Sequence, residues 1–279
     1  MKKTLVIIDL NNFIYRAFFG IQQPLKTPEG VLVNAVYGTF NMLHRIFEDL
    51  KPHSVVAALD SRSSNRKEEY SDYKSTRSKM PDDLRHQIPM IHQMLEAMGI
   101  QTVIEEGLEA DDLIYNLCLE HKEFDEVYIC SSDKDLMQLV NDKVKVYDSL
   151  KQKTYDRAGV IEKFGVAPEQ VVDYLSLLGD ASDSIPGVKG IGEKGAAKLL
   201  QEFGSLDNIY SRIQEVKPEG IKNKLILGEA DARMSYQLAS LRKTKVTPVL
   251  VSWVMDKTKV APLLTQWNMK SALFKLQGM

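Results

Sequence analysis

The chain has 279 residues, 44% of them hydrophobic and 27% charged, with a formal net charge of −2 and two cysteines. That length holds one large α/β domain with an appended helical unit, or two domains, and an ordinary buried core. It excludes a disulfide scaffold, because Cys118 and Cys130 lack the spacing of a metal or redox pair and read as buried thiols. It also excludes a membrane span or signal core, since the apolar run after Met1-Lys2-Lys3 ends at Asp9; no membrane partner and a cytoplasmic location are expected.

Short runs rich in Val, Ile and Tyr at 5–8, 55–59, 101–104, 127–131 and 144–147 predict strands, and residues 36–50, 84–98, 111–121 and 134–140 between them predict helices. The alternation points to an α/β fold over residues 1–165, with a mostly parallel central sheet and helices on both faces. Beyond about residue 165 the strand signals fade. Helices at 168–178, 193–203, 206–213 and 230–241, a late strand at 246–254 and a last helix at 263–276 make 166–279 a smaller, mainly helical unit.

Residues 61–86 fit neither pattern. Arg62, Arg66, Lys67, Lys74, Arg77, Lys79 and Arg85 alternate with Tyr70 and Tyr73 directly after the strand-ending Asp60. A basic insertion at the active edge of a sheet behaves as a lid or clamp. The plainer alternative is a solvated helix, since Glu68, Glu69, Asp72, Asp82 and Asp83 offset much of its charge.

The chemistry is carried by carboxylates. Asp9, Asp60 and Asp133 each follow a strand-like run, and the carboxyl ends of parallel strands open into one crevice. Glu109, Asp111 and Asp112 stand in the first turn of a helix, where one or two acids would suffice as caps; at helical spacing Asp111 points about 100° away from Asp112. Asp135 caps the next helix, and Asp180 and Asp183 lie three apart in a turn-rich loop. Acids gathered this closely are stable at neutral pH only with cations among them, and divalent metal is the simplest answer. A D-x-D pair is also a phosphatase-type signature, but that needs an acid two residues after Asp9, where Asn11 stands.

Net charge does not argue against a polyanion. Nine of the 38 acids belong to this set, so the remaining 29 face 36 Lys and Arg. Gly187-Val188-Lys189-Gly190-Ile191-Gly192-Glu193-Lys194 leads into a helix that carries Lys198. Its glycines let backbone approach a phosphate and the helix start offers N–H groups, while the spacing departs from a P-loop. This is a helix-hairpin-helix pattern, spanning about 185–200, that grips a duplex backbone without reading sequence.

With those features assembled, the chain resembles the bacterial 5′ nucleases of the flap-endonuclease family, most closely the 5′→3′ exonuclease domain of DNA polymerase I. The resemblance rests on Ile8-Asp9-Leu10-Asn11-Asn12-Phe13, Asn34-Ala35-Val36-Tyr37-Gly38, the stretch 66–77, Glu109-Ala110-Asp111-Asp112, Asp133-Lys134-Asp135-Leu136 and the stretch 179–192. It implies a PIN-like core with a helical arch at about 61–86 and a C-terminal helix-hairpin-helix-type DNA-binding unit. It also implies a structure-specific 5′→3′ exonuclease and flap endonuclease, acting in DNA replication (primer removal) and repair. Asp9, Asp60, Glu109 and Asp111 would hold one Mg²⁺, and Asp133, Asp135, Asp180 and Asp183 a second, with Asp112 supporting; Mn²⁺ would substitute. Lys74 and Arg77 would steer the scissile phosphate, with Asp111 and Asp135 also counted as catalytic. Tyr15 and Arg16 would meet the unpaired terminal nucleotide, and Arg66, Tyr73, Gly187, Lys189, Gly190, Gly192, Lys194 and Lys198 would add DNA contacts. K⁺ would sit at the hairpin between carbonyls and a phosphate. The expected partner is DNA with a 5′ flap or free 5′ end, bound by a monomer that is either free-standing or joined to a DNA polymerase. The competing readings are a non-catalytic DNA-junction module and a PIN-like ribonuclease, which would not need the hairpin.

Overall fold

A computed structural model describes residues 2–61, 63–244 and 248–279. Six strands form one sheet: β1 (Thr4–Asp9), β2 (Ser54–Ala58), β3 (Gln101–Val103), β4 (Glu126–Cys130), β5 (Val144–Asp148) and β6 (Lys153–Tyr155), in the order β3-β2-β1-β4-β5-β6. The first five run parallel, and β6 returns antiparallel to β5. Every residue of β1 and β2 is buried, as a strand covered on both faces requires, which is why these runs are continuously apolar rather than alternating.

The helices are α1 (Leu10–Gly20), α2 (Asn34–Leu50), α3 (Asn65–Glu69), α4 (Asp82–Arg85), α5 (Ile88–Ala97), α6 (Ala110–Glu120), α7 (Arg157–Phe164), α8 (Val171–Leu178), α9 (Glu193–Phe203), α10 (Leu206–Ser211), α11 (Glu219–Leu227), α12 (Glu229–Ala239), α13 (Lys257–Gln266) and α14 (Lys270–Gly278). Strand alternation divides the core in two. Val6, Ile8 and Ala57 pack with Phe13, Phe40, Leu43 and Ile91 on one face. On the other, Leu5, Ile7, Val56 and Ile129 meet Leu113, Ile114 and Leu117 of α6 and continue into α8 and α9 through Leu175 and Leu200.

Several expected elements are built differently. The helix expected at 84–98 is two, because Pro89 opens a new helix at its first turn and the fully buried Gln87 between them accepts from Ala35 N at 2.8 Å. The one at 134–140 is a 3₁₀ turn over Asp135–Leu139. That at 263–276 breaks at Asn268, whose φ of 57° ends α13, and these two last helices pack beside α2 in the first face's cluster rather than with the helical unit before them. No strand forms over 248–254, where Val251 O accepts from Ser54 Oγ and Trp253 N donates to His53 O without a ladder; the rest of that expected strand lies outside the described residues. Edge strand β6 escaped notice because Lys153-Thr154-Tyr155 is too short to show a pattern.

The segment 61–86 is not a free-standing arch. It holds only the short α3 and α4 with turns between, and Tyr73 is buried with Ile185 and Leu238 in a cluster of its own; Arg62 lies outside the described residues. No described helix is long and apolar enough to cross a membrane.

Candidate active site

Parallel strands β1, β2 and β4 end at one edge, and each delivers a carboxylate there. Asp9 terminates β1 and caps α1, accepting from Asn12 N at 3.2 Å. Asp60 follows β2 and accepts from Asn11 Nδ2 at 2.5 Å and from Ala110 N, the first residue of α6, at 2.8 Å. Ser131, just past β4, donates its hydroxyl to Asp9 Oδ2 at 2.7 Å and accepts from Asp133 N at 3.0 Å. Asp9, Asp60, Asp111 and Asp133 line one cavity of about 510 Å³, together with Tyr15, Phe19, Lys74, Arg77 and residues 78–81.

Of the remaining acids, Glu109, Asp183 and Asp180 are paired with cations, and, among the described residues, Asp135 is not. Glu109 accepts from Lys74 Nζ at 2.8 Å, Ser64 Oγ at 2.7 Å and Tyr73 Oη at 3.0 Å. Asp183 accepts from Arg77 Nη2 at 2.5 Å, with Lys74 Nζ 4.0 Å from its other oxygen. Asp180 pairs with Lys134 Nζ at 2.9 Å. Asp135 Oδ1 is buried with no hydrogen-bond partner.

Electrostatics separate the two groups. Burial, partly offset by the Ser131 hydrogen bond and reinforced by Asp133 and Asp60, pushes the Asp9 carboxyl up to about 7. Burial and neighbouring carboxylates likewise raise Asp111, Asp133 and Asp135. Glu109 goes the other way: burial disfavours its charge, but Lys74 and Arg66 overcome that and hold it below the usual range. Carboxyls driven toward protonation, and an orphaned carboxylate oxygen beside them, are the donor chemistry that hard divalent cations satisfy. The residues therefore fit such ions, although among the described residues no three acidic, His or Cys side chains are drawn in to a formed ligand set.

Four expected roles are corrected. Asp112, expected as a supporting ligand, does not line the cavity: at 1% exposure it takes Arg66 Nη1 and Nη2 at 2.6 and 2.7 Å and Arg242 N at 2.8 Å. Arg66, 3% exposed, also donates to the carbonyls of Leu238 and Ser240, so it cannot reach DNA. Tyr73 is buried on Glu109. Gly187 is buried too, where a Cβ would fall 2.3 Å from Gly179 N, so it serves chain packing rather than contact.

Arg16 faces away from the carboxylates, pairing with Asp148 at 3.1 Å in a second cavity behind α1, while Tyr15 faces them. Lys189, Gly190, Gly192, Lys194 and Lys198 are exposed on the hairpin and at the start of α9. Sequence reasoning missed Ser131, Asn11, Asn12 and Phe19. Phe19 sits four residues after Tyr15, 62% exposed, with ring centroids 6.3 Å apart, and the i,i+4 aromatic pair was the available signal.

A family model described as the 5′-3′ exonuclease N-terminal resolvase-like domain matches residues 4–165, and one described as the 5′-3′ exonuclease C-terminal SAM fold matches 166–261. The chain belongs to the 5′-3′ exonuclease family. By family it is thus a nuclease of the 5′-3′ exonuclease type. A 5′-3′ exonuclease of Aquifex aeolicus is 38% identical over 242 residues, 86% of this chain and 82% of that protein. DNA polymerase I of Caldicellulosiruptor bescii is 41% identical over 245 residues, 85% of this chain but 29% of the polymerase, so the chain spans under a third of that relative's length. Among solved structures, T5 5′-exonuclease with bound zinc superposes with a TM-score of 0.71 at 20% identity, covering 98% of this chain and 97% of that one. The catalytic core of Rad2 in complex with DNA substrate gives 0.67 at 17%, covering 99% and 92%. At such identities the likeness is one of fold, and this 5′-3′ exonuclease family member shares it end to end.

Proposed function

We propose that the chain cleaves DNA at free 5′ ends and at 5′ flaps, using two or more divalent ions, Mg²⁺ foremost and Mn²⁺ in its place, in the replication and repair work of primer and flap removal. The observation that carries this reading is the convergence of Asp9, Asp60, Asp111 and Asp133 on one cavity that Lys74 and Arg77 also line. Those four, with Asp135, Asp180, Glu109 and Asp183 around them, would hold the ions. Bound there, divalent ions would supply an activated water and neutralise charge on the attacking and leaving oxygens.

Lys74 and Arg77 now neutralise Glu109 and Asp183. Ions at those carboxylates would free both side chains to take the scissile phosphate, where fixed positive charge stabilises the transition state. Tyr15 and Phe19 offer aromatic faces at the cavity for the terminal base, since base stacking tolerates any sequence. The exposed lysines and glycines of the hairpin would hold the duplex backbone, so structure rather than sequence would select the substrate. K⁺ finds a poorer place at the hairpin, because the Gly190 carbonyl already accepts from Lys224 Nζ at 3.0 Å, and it is given no part in cleavage.

Digestion of end-labelled flap, nicked and blunt DNA and of single-stranded RNA, with Mg²⁺ and with EDTA, tests this. Mg²⁺-dependent release of 5′ fragments from flap DNA supports it. Cleavage of RNA alone, or DNA binding with no cleavage in any metal, overturns it.

A further inference from the structure

The hairpin carries a cation outside the glycine-rich motif. Lys224 belongs to α11, 34 residues from Gly190, yet its ammonium rests on the Gly190 carbonyl at 3.0 Å. Gly190 has φ +84°, a conformation that favours glycine, and the end of the Lys224 side chain lies against it, 2.9 Å from where a Cβ would stand. The far end of α11 is fixed just as closely, since a Cβ on Gly228 would stand 2.9 Å from Val188 Cγ1. Val188 and Leu225, buried at 2% and 0%, belong to the same core cluster. Helix α11 is thereby docked under the hairpin, and Lys224 is held at its tip.

An ammonium has three donors. Lys224 spends one on Gly190 O, and among the described residues no carboxylate lies within ion-pair distance of it, whereas its neighbour Lys222 pairs with Glu219 at 2.8 Å. Two donors on an exposed cation seated at the turn are left for a phosphate that the hairpin backbone approaches. We propose that Lys224 is a DNA-phosphate ligand and supplies the positive charge that would otherwise have to come from a monovalent cation at this turn. A K⁺ at the Gly190 carbonyl would stand at contact distance from a like charge. The inference rests on the reading of the hairpin as a backbone clamp.

The test is binding of a flap duplex in EDTA by the wild-type chain, Lys224→Ala and Lys224→Arg, over a series of KCl and NaCl concentrations. Wild type should bind equally in the two salts. Lys224→Ala should bind about tenfold more weakly, with its log–log salt slope lowered by about one phosphate contact, while Lys224→Arg keeps both. Melting temperature should not change, since Lys224 is exposed. An unaltered affinity and slope in Lys224→Ala overturns the assignment, and so does wild-type binding that needs K⁺ over Na⁺. A wild-type chain that binds no duplex at any salt removes the clamp reading itself, and this inference with it.

Discussion

Arg66 and Asp112 meet in a two-pronged ion pair, Nη1 to Oδ2 at 2.6 Å and Nη2 to Oδ1 at 2.7 Å, with side chains 3% and 1% exposed. The pair fastens the base of the 61–86 segment to α6 one residue from Asp111, and through Leu238 O and Ser240 O it also fastens the end of α12. A buried pair of this kind contributes little beyond an apolar replacement, but losing one partner strands the other charge.

Arg66→Ala should therefore cost about 3–5 kcal/mol of folding stability, read from chemical denaturation. A variant that folds as well as wild type and loses only DNA affinity would restore Arg66 to the DNA-contact set and refute the structural role.

Lys74 and Arg77 are expected to act on the phosphate in the reaction, whatever their ion pairs with Glu109 and Asp183 add to folding. Lys74→Ala should lower turnover by about 10²–10³ while flap-DNA affinity changes little, in line with removing a charge that acts in the transition state. Single-turnover kinetics beside a binding assay separate the two, and equal losses in both would contradict the role.

Ser131 ties two site carboxylates with one buried hydroxyl, donating to Asp9 and accepting from Asp133 N. Second contacts of this sort orient ligands, and their loss commonly costs about 10–100-fold in metal affinity. Ser131→Ala should weaken Mn²⁺ binding by calorimetry by about that factor, and Ser131→Thr should recover most of it. Equal affinity in all three forms would rule the tether out.

The raised carboxyls make stability depend on pH in a particular direction. Asp9, driven from 3.8 to about 7 by burial and its acidic neighbours, holds its proton in the folded state over a range where the unfolded chain has released it. Stability then falls as pH rises between those values, and Asp111, Asp133 and Asp135 add in the same sense. Glu109, held low, contributes stability above its ordinary 4.5 and loses it only in more acid solution, while His44, lowered by burial, titrates within pH 5–8 in the opposite sense and offsets part of the effect of the four raised acids. Protein stripped of divalent ions should melt lower at pH 8 than at pH 5, and Mg²⁺ should recover the difference at pH 8. A melting temperature that climbs across that range without metal would show the carboxyls are not raised.

Much of this was legible in the chain because parallel strands advertise themselves: continuous apolar runs ending in Asp9, near Asp60 and near Asp133 place those acids at one sheet edge before any coordinates. The hairpin glycines were equally plain. What stayed hidden was which way neighbours on one turn point. Asp111 and Asp112 look alike in sequence, yet one faces the cavity and the other a buried guanidinium. Arg66 and Tyr73 read as surface groups because the basic segment offers no periodicity to reveal that it folds down onto α6 and α12. Ser131 and Lys224 act through partners 122 and 34 residues away, distances over which no local pattern carries.

The central claim is that the cavity formed by Asp9, Asp60, Asp111 and Asp133 is a divalent-metal centre. Anomalous scattering from crystals soaked in Mn²⁺ tests it most directly. The account predicts manganese peaks within ligating reach of those carboxylates, with Lys74 and Arg77 withdrawn from Glu109 and Asp183. Crystals that take up manganese only elsewhere on the protein, with the two basic side chains still seated on their acids, would contradict it.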